Sequence, residues 1–90
     1  MEKEMFILDS YEMCKEENTI IFYGRVIEKI TIGDELTYHE QEIKSKHYYI
    51  CEMMAYGKKF DILDGGMTGA LLVKGEKQDF VKHSILTKTI

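Results

Sequence analysis

Residues 19–28 (Thr-Ile-Ile-Phe-Tyr-Gly-Arg-Val-Ile-Glu) and 47–56 (His-Tyr-Tyr-Ile-Cys-Glu-Met-Met-Ala-Tyr) concentrate β-branched and aromatic side chains, and both are predicted as strands. Shorter stretches of the same character predict further strands over 5–13, 35–39, 68–73 and 84–88. Turn chemistry separates them at Glu16-Glu17-Asn18, Ile32-Gly33-Asp34, Gly57-Lys58-Lys59 and Asp64-Gly65-Gly66. The one helical signal, over 76–81, is long enough for a turn or two. An all-β chain of about six or seven short, closely spaced strands suits a closed or nearly closed barrel, because closure removes the adhesive edges of a small sheet. Pattern alone fits a two-sheet sandwich almost as well. No repeat, low-complexity tract or proline breaks the chain, so residues 1–90 are expected to form one domain.

Composition narrows the class. A hydrophobic fraction of 44% beside 31% charged residues is that of a globular protein, and no apolar run approaches the ~20 residues needed to cross a bilayer. The start of the chain lacks the long apolar segment and small-residue cleavage site of a signal peptide, so a cytoplasmic location is expected, without membrane association. Cys14 and Cys51 are far apart in sequence and form no Cys-x-x-Cys pair, which predicts two reduced thiols and no zinc site. The net charge of -4 argues against generic binding to phosphate backbones. That charge is uneven, with 11 acidic and 4 basic residues over 1–42 against 5 acidic and 8 basic over 43–90. The second half therefore leaves room for a local basic patch.

Chemistry-bearing patterns are sparse. The phosphate loop Gly-x-x-x-x-Gly-Lys-Ser/Thr is absent, and Gly65-Gly66-Met67-Thr68-Gly69 has no following lysine and helix, so no nucleoside triphosphate is expected. His39, His47 and His83 show no metal-ligand spacing with each other or with the cysteines. Glu16-Glu17 and Asp34-Glu35 fall on turns and read as solvated charge. No catalytic set emerges, and neither enzyme activity nor a metal or cofactor is expected.

The 47–56 segment is the most informative. Strict alternation places Tyr48, Ile50, Glu52, Met54 and Tyr56 on one side, with Tyr49, Cys51, Met53 and Ala55 on the other. The smaller and sulfur-bearing set suits a narrow barrel interior, which would turn the Glu52 side outward as an apolar face around one carboxylate.

Several segments taken in order resemble a known family. Tyr23-Gly24-Arg25-Val26, Ile32-Gly33-Asp34-Glu35-Leu36, Ile50-Cys51-Glu52-Met53 and Asp64-Gly65 through Gly69-Ala70-Leu71-Leu72 are similar to motifs of the second domain of elongation factor Tu and other translational GTPases, over about residues 6–86. The resemblance implies a small Greek-key barrel of the translation-protein type, here without its GTPase. In that family the glutamate matching Glu52 and the first leucine matching Leu71 belong to a pocket for the terminal adenosine of aminoacyl-tRNA, so the resemblance nominates those two residues. The family's pocket arginine corresponds to Ala55, and Lys58 and Lys59 in the next turn replace its charge only in part. The family also carries a glycine where His83 stands, and its turn after Arg-Val differs from Glu28-Lys29-Ile30 by about one residue.

Two functions follow as expectations. One is a non-catalytic module that binds a protein partner, or a second copy of itself, through Tyr48, Ile50, Met54 and Tyr56. The other is an RNA-binding module that contacts tRNA ends or ribosomal RNA through Glu52, Leu71, Lys58 and Lys59.

Overall fold

The computed structural model describes residues 1–40 and 44–89, and every strand expected from the sequence forms within them. In chain order the strands are β1 (Glu2–Met13), β2 (Thr19–Val26), β3 (Ile30–Thr31), β4 (Glu35–Glu40), β5 (Lys44–Ala55), β6 (Lys58–Phe60), β7 (Ile62–Leu63), β8 (Thr68–Lys74) and β9 (Ile85–Thr89). The short strands β3, β6 and β7 have no counterpart in the expectation, since two or three residues carry too little periodicity to register.

Six strands pair antiparallel in a ring, β1–β2–β8–β5–β4–β9 and back to β1. Within it β4, β5 and β8 are successive neighbours and β9 returns to lie beside β4, which is Greek-key order. The ring decides for a barrel over a sandwich. Its weakest seam lies between β4 and β9, which among the described residues are joined by the single ladder pair Thr37–Thr87. β6 pairs with the last residues of β5, and β3 with β7 forms a separate two-stranded ladder.

Phe6, Leu8, Ile20, Phe22, Met53, Leu71, Val73 and Leu86 fill the interior, each fully buried. One end is plugged by Phe80, whose ring stands edge-on to those of Tyr11, Phe22, Tyr38 and Tyr48 at centroid distances of 4.9–5.4 Å. This plug explains why the expected helical turn over 76–81 does not form. The segment is held irregular by outside partners: Lys77 Nζ donates to the Cys14 carbonyl, Gln78 Nε2 to the Tyr48 hydroxyl, and the Val81 amide to the Tyr38 hydroxyl. So short a helix could not repay its nucleation against those contacts.

Turn chemistry holds where the sequence was specific: Gly33 takes φ 94 at the expected turn, where the Asp34 carboxylate accepts from the Thr31 amide at 2.9 Å. Ahead of the closing strand β9, His83 adopts φ 67, a left-handed conformation that glycine reaches without steric cost. One turn shifts. The hairpin after β5 is made by Tyr56 and Gly57 at φ 52 and 72, a two-residue type I′ turn, so Lys58 and Lys59 belong to β6.

Candidate functional site

The outer surface of four neighbouring strands, β1, β2, β8 and β5, folds into a cleft of about 770 Å³. Ladder register fixes what faces it. One row across the sheet runs Ser10, Tyr23, Ala70, Met54, and the next runs Glu12, Ile21, Leu72, Glu52, of which Glu12 stands outside the lining and accepts from the Tyr23 hydroxyl. Ile21, Ala70, Leu72 and Met54 make an apolar floor, while Asp9, Glu52, Tyr23 and Tyr56 supply the polar groups. The strands approach closely here, because a Cβ on Gly24 would lie 1.9 Å from the Ile7 carbonyl oxygen.

Both cleft carboxylates stand at bulges. The β1–β2 register slips between Leu8 and Ser10, leaving Asp9 as the extra residue. The β5–β8 register slips between Ile50 and Glu52, leaving Cys51. A bulge re-aims the side chains beyond it. On β5 it turns Glu52, Met54 and Tyr56 outward into the cleft, whereas Tyr48 and Ile50, on the near side of the bulge, point into the core.

The expected outer face of β5 is therefore half right. Glu52, Met54 and Tyr56 line the cleft, with Met54 43% and Tyr56 75% exposed. Tyr48 and Ile50 do not belong to it, being 0% and 2% exposed. The Tyr48 hydroxyl donates to the Glu76 carbonyl at 2.6 Å, and its ring meets Phe22 edge-on at 5.3 Å. Tyr49 and Cys51, expected inside, are exposed, while Met53 and Ala55 are buried as expected. Leu71 lies wholly in the core, and its neighbour Leu72 is the leucine that reaches the cleft. Lys58 and Lys59 are exposed on β6 and do not line it.

Lys59 nonetheless reaches Glu52 from outside, Nζ to Oε1 at 2.5 Å. The hydrogen bond to Glu52 and that carboxylate's charge hold the lysine above its usual pKa. Tyr23 is also raised, by burial first and then by Glu12, whose carboxylate accepts from its hydroxyl at 3.5 Å. Asp9 faces His83 Nδ1 at 3.7 Å across the opposite wall. The lining thus contains two carboxylates and no lysine, arginine or histidine.

Sequence reasoning missed Asp9, Ser10, Ile21, Tyr23, Ala70 and Leu72 as cleft residues. The buried positions of β5, Tyr48, Ile50, Met53 and Ala55, show a step of three between two steps of two that marks a bulge, but nearly every residue there is apolar, so the sequence does not display that step. The join of β1 to β5 through β2 and β8 is a tertiary fact without a local signature.

A second polar group lies away from the cleft. Ser45 Oγ is 3.1 Å from His39 Nδ1, and His39 Nε2 is 2.7 Å from Glu2 Oε2, with Thr87 Oγ1 also bonded to Glu2. Ser45, His39 and Glu2 sit exposed and Thr87 half-buried, across β5, β4, β1 and β9, spanning the thin seam of the ring. Among the described residues no three His, Cys, Asp or Glu side chains converge as a metal-ligand set.

With the geometry in place, comparison with known proteins adds one result. No protein-family model and no curated protein matches the sequence. Among solved structures, the chain matches the C-terminal domain of a Geobacillus thermoleovorans protein described as a U32 peptidase, at TM-score 0.64 and 15% identity over 97% of this chain and 92% of that one. The selenomethionine variant of that domain matches at TM-score 0.57 and 15% identity, covering 97% and 99%. The likeness is one of fold. It extends over nearly all of both chains, so this barrel corresponds to a whole domain of that protein.

Proposed function

We propose that this barrel is a non-catalytic binding module that holds a polypeptide segment of a partner protein in the cleft between β1 and β5. The observation that carries the reading is the lining: an apolar floor of Ile21, Ala70, Leu72 and Met54 between two carboxylates, with no cation among the lining residues. Such a surface suits apolar side chains and repels a phosphate backbone. The fold neighbour is itself the C-terminal domain of a protein described as a peptidase, which fits an accessory role beside another activity. A cytoplasmic setting belongs to the same reading.

The motif resemblance to the second domain of elongation factor Tu favours one alternative occupant, the end of an RNA, because Glu52 does line the cleft. Two features weigh toward protein. Ala55 stands where the family has its arginine, and Leu71 is enclosed in the core.

Photo-crosslinking decides between them. With p-benzoylphenylalanine at position 54, irradiation in cell extract should give adducts that survive RNase, are removed by protease, and disappear when Ala70→Trp fills the cleft. Adducts that contain RNA, or that persist with Ala70→Trp, would overturn the reading.

A further inference from the structure

Resting on the cleft-binding reading above, we infer that the cleft selects an extended peptide segment carrying lysine or arginine beside bulky apolar residues, its cations received by Glu52 and Asp9. Both ionic groups in the lining are carboxylates, and they stand on opposite walls, Asp9 on β1 and Glu52 on β5. Each is aimed by its own bulge, so the placement is built into the backbone of both walls.

Glu52 already shows what it accepts. Lys59 contacts it from outside the cleft while remaining 73% exposed, an ammonium held by a single carboxylate on the surface. Exposed pairs of this kind contribute little to stability, so an incoming cation exchanges with Lys59 at small cost. Asp9 is less engaged, since its contact to His83 is 3.7 Å, longer than a hydrogen bond. Tyr23 and Tyr56 line the cleft between and beside the carboxylates, and aromatic faces add further attraction for lysine or arginine.

Spacing specifies the ligand further. β1 and β5 are separated by β2 and β8, and steps of about 4.8 Å place the two walls up to roughly 14 Å apart. An extended chain advances about 3.3 Å per residue, so cations about four residues apart can reach both carboxylates at once. The side chains between them rest on Ile21, Ala70 and Leu72. The ligand class is therefore a cation–apolar–cation segment, and a segment with one cation engages one wall.

Selection from random octapeptides displayed on phage tests this, using the intact chain and its Ala70→Trp variant as the control. Enriched sequences should carry lysine or arginine next to leucine, isoleucine, methionine or an aromatic residue. A synthetic copy of the most enriched peptide, followed by fluorescence anisotropy, should bind about five- to tenfold more weakly to Glu52→Gln or Asp9→Asn. Its norleucine-for-lysine analogue should be indifferent to both variants, and unchanged thermal melting would show that the variants fold. Enrichment of apolar peptides without cations, or equal affinity for Glu52→Gln, Asp9→Asn and the parent, would overturn the cation selectivity and leave the cleft-binding reading standing. Enrichment no greater than on Ala70→Trp would overturn both.

Discussion

Three side chains, Tyr23 on β2, Tyr49 on β5 and Lys59 on β6, are held above their usual pKa values and so contribute to the response to alkaline pH. Tyr49 is raised by its hydrogen bond to Glu35 and then by that carboxylate's charge, Tyr23 by burial and then by Glu12, and Lys59 by the hydrogen bond and charge of Glu52. All three shift the same way. A group raised in the folded state stabilises it fully below the unfolded value, about 10 for tyrosine and 10.4 for lysine, and that contribution is lost as pH rises through the folded value. The melting temperature should therefore fall as pH climbs beyond about 10. The double variant Tyr23→Phe/Tyr49→Phe removes two of the three groups and should lose less stability over that range. A melting curve against pH that coincides for the parent and the double variant would refute the assignment.

At the scale of one element, β5 shows both how much the sequence disclosed and where it stopped. Its strand character and the outward facing of Glu52, Met54 and Tyr56 were legible, because β-branched and aromatic content reports an extended chain and alternation its faces. The facing of Tyr48 and Ile50 was not, because one extra residue at Cys51 reverses the alternation and a cysteine can occupy either side. The Phe80 segment failed for a related reason: four polar residues ahead of Phe80 and Val81 read as helix, while distant hydroxyls decide its path. A paired substitution tests the bulge. Ile50→Asp places an unpaired carboxylate in the core and should cost about 4 kcal/mol or more, whereas Cys51→Asp lies at the surface and should stay within about 0.5 kcal/mol. Denaturant unfolding measures both, and an unbroken alternation would give the reverse order.

For the whole molecule the consequential feature is uneven closure. β2 pairs with β8 and with β1 along seven of its eight residues each, but among the described residues β4 meets β9 through the single ladder pair Thr37–Thr87. Side chains reinforce that seam from outside, where the Glu2 carboxylate receives both His39 Nε2 and the Thr87 hydroxyl, and Ser45 bonds the other nitrogen of His39. The cleft lies on the other side of the ring, over β1, β2, β8 and β5, where pairing is most extensive. This division places the proposed binding cleft on the extensively paired part of the barrel and predicts that local opening occurs at the seam. Amides of β4 and β9 that face each other should then exchange with solvent roughly tenfold or more faster than those of β2 and β8. Glu2→Gln, which removes the charge shared by His39 and Thr87, should speed exchange at the seam and leave β2 and β8 unchanged. Uniform exchange around the ring, or acceleration of β2 and β8 by Glu2→Gln, would show that the barrel opens as one unit and that the seam carries no separate motion.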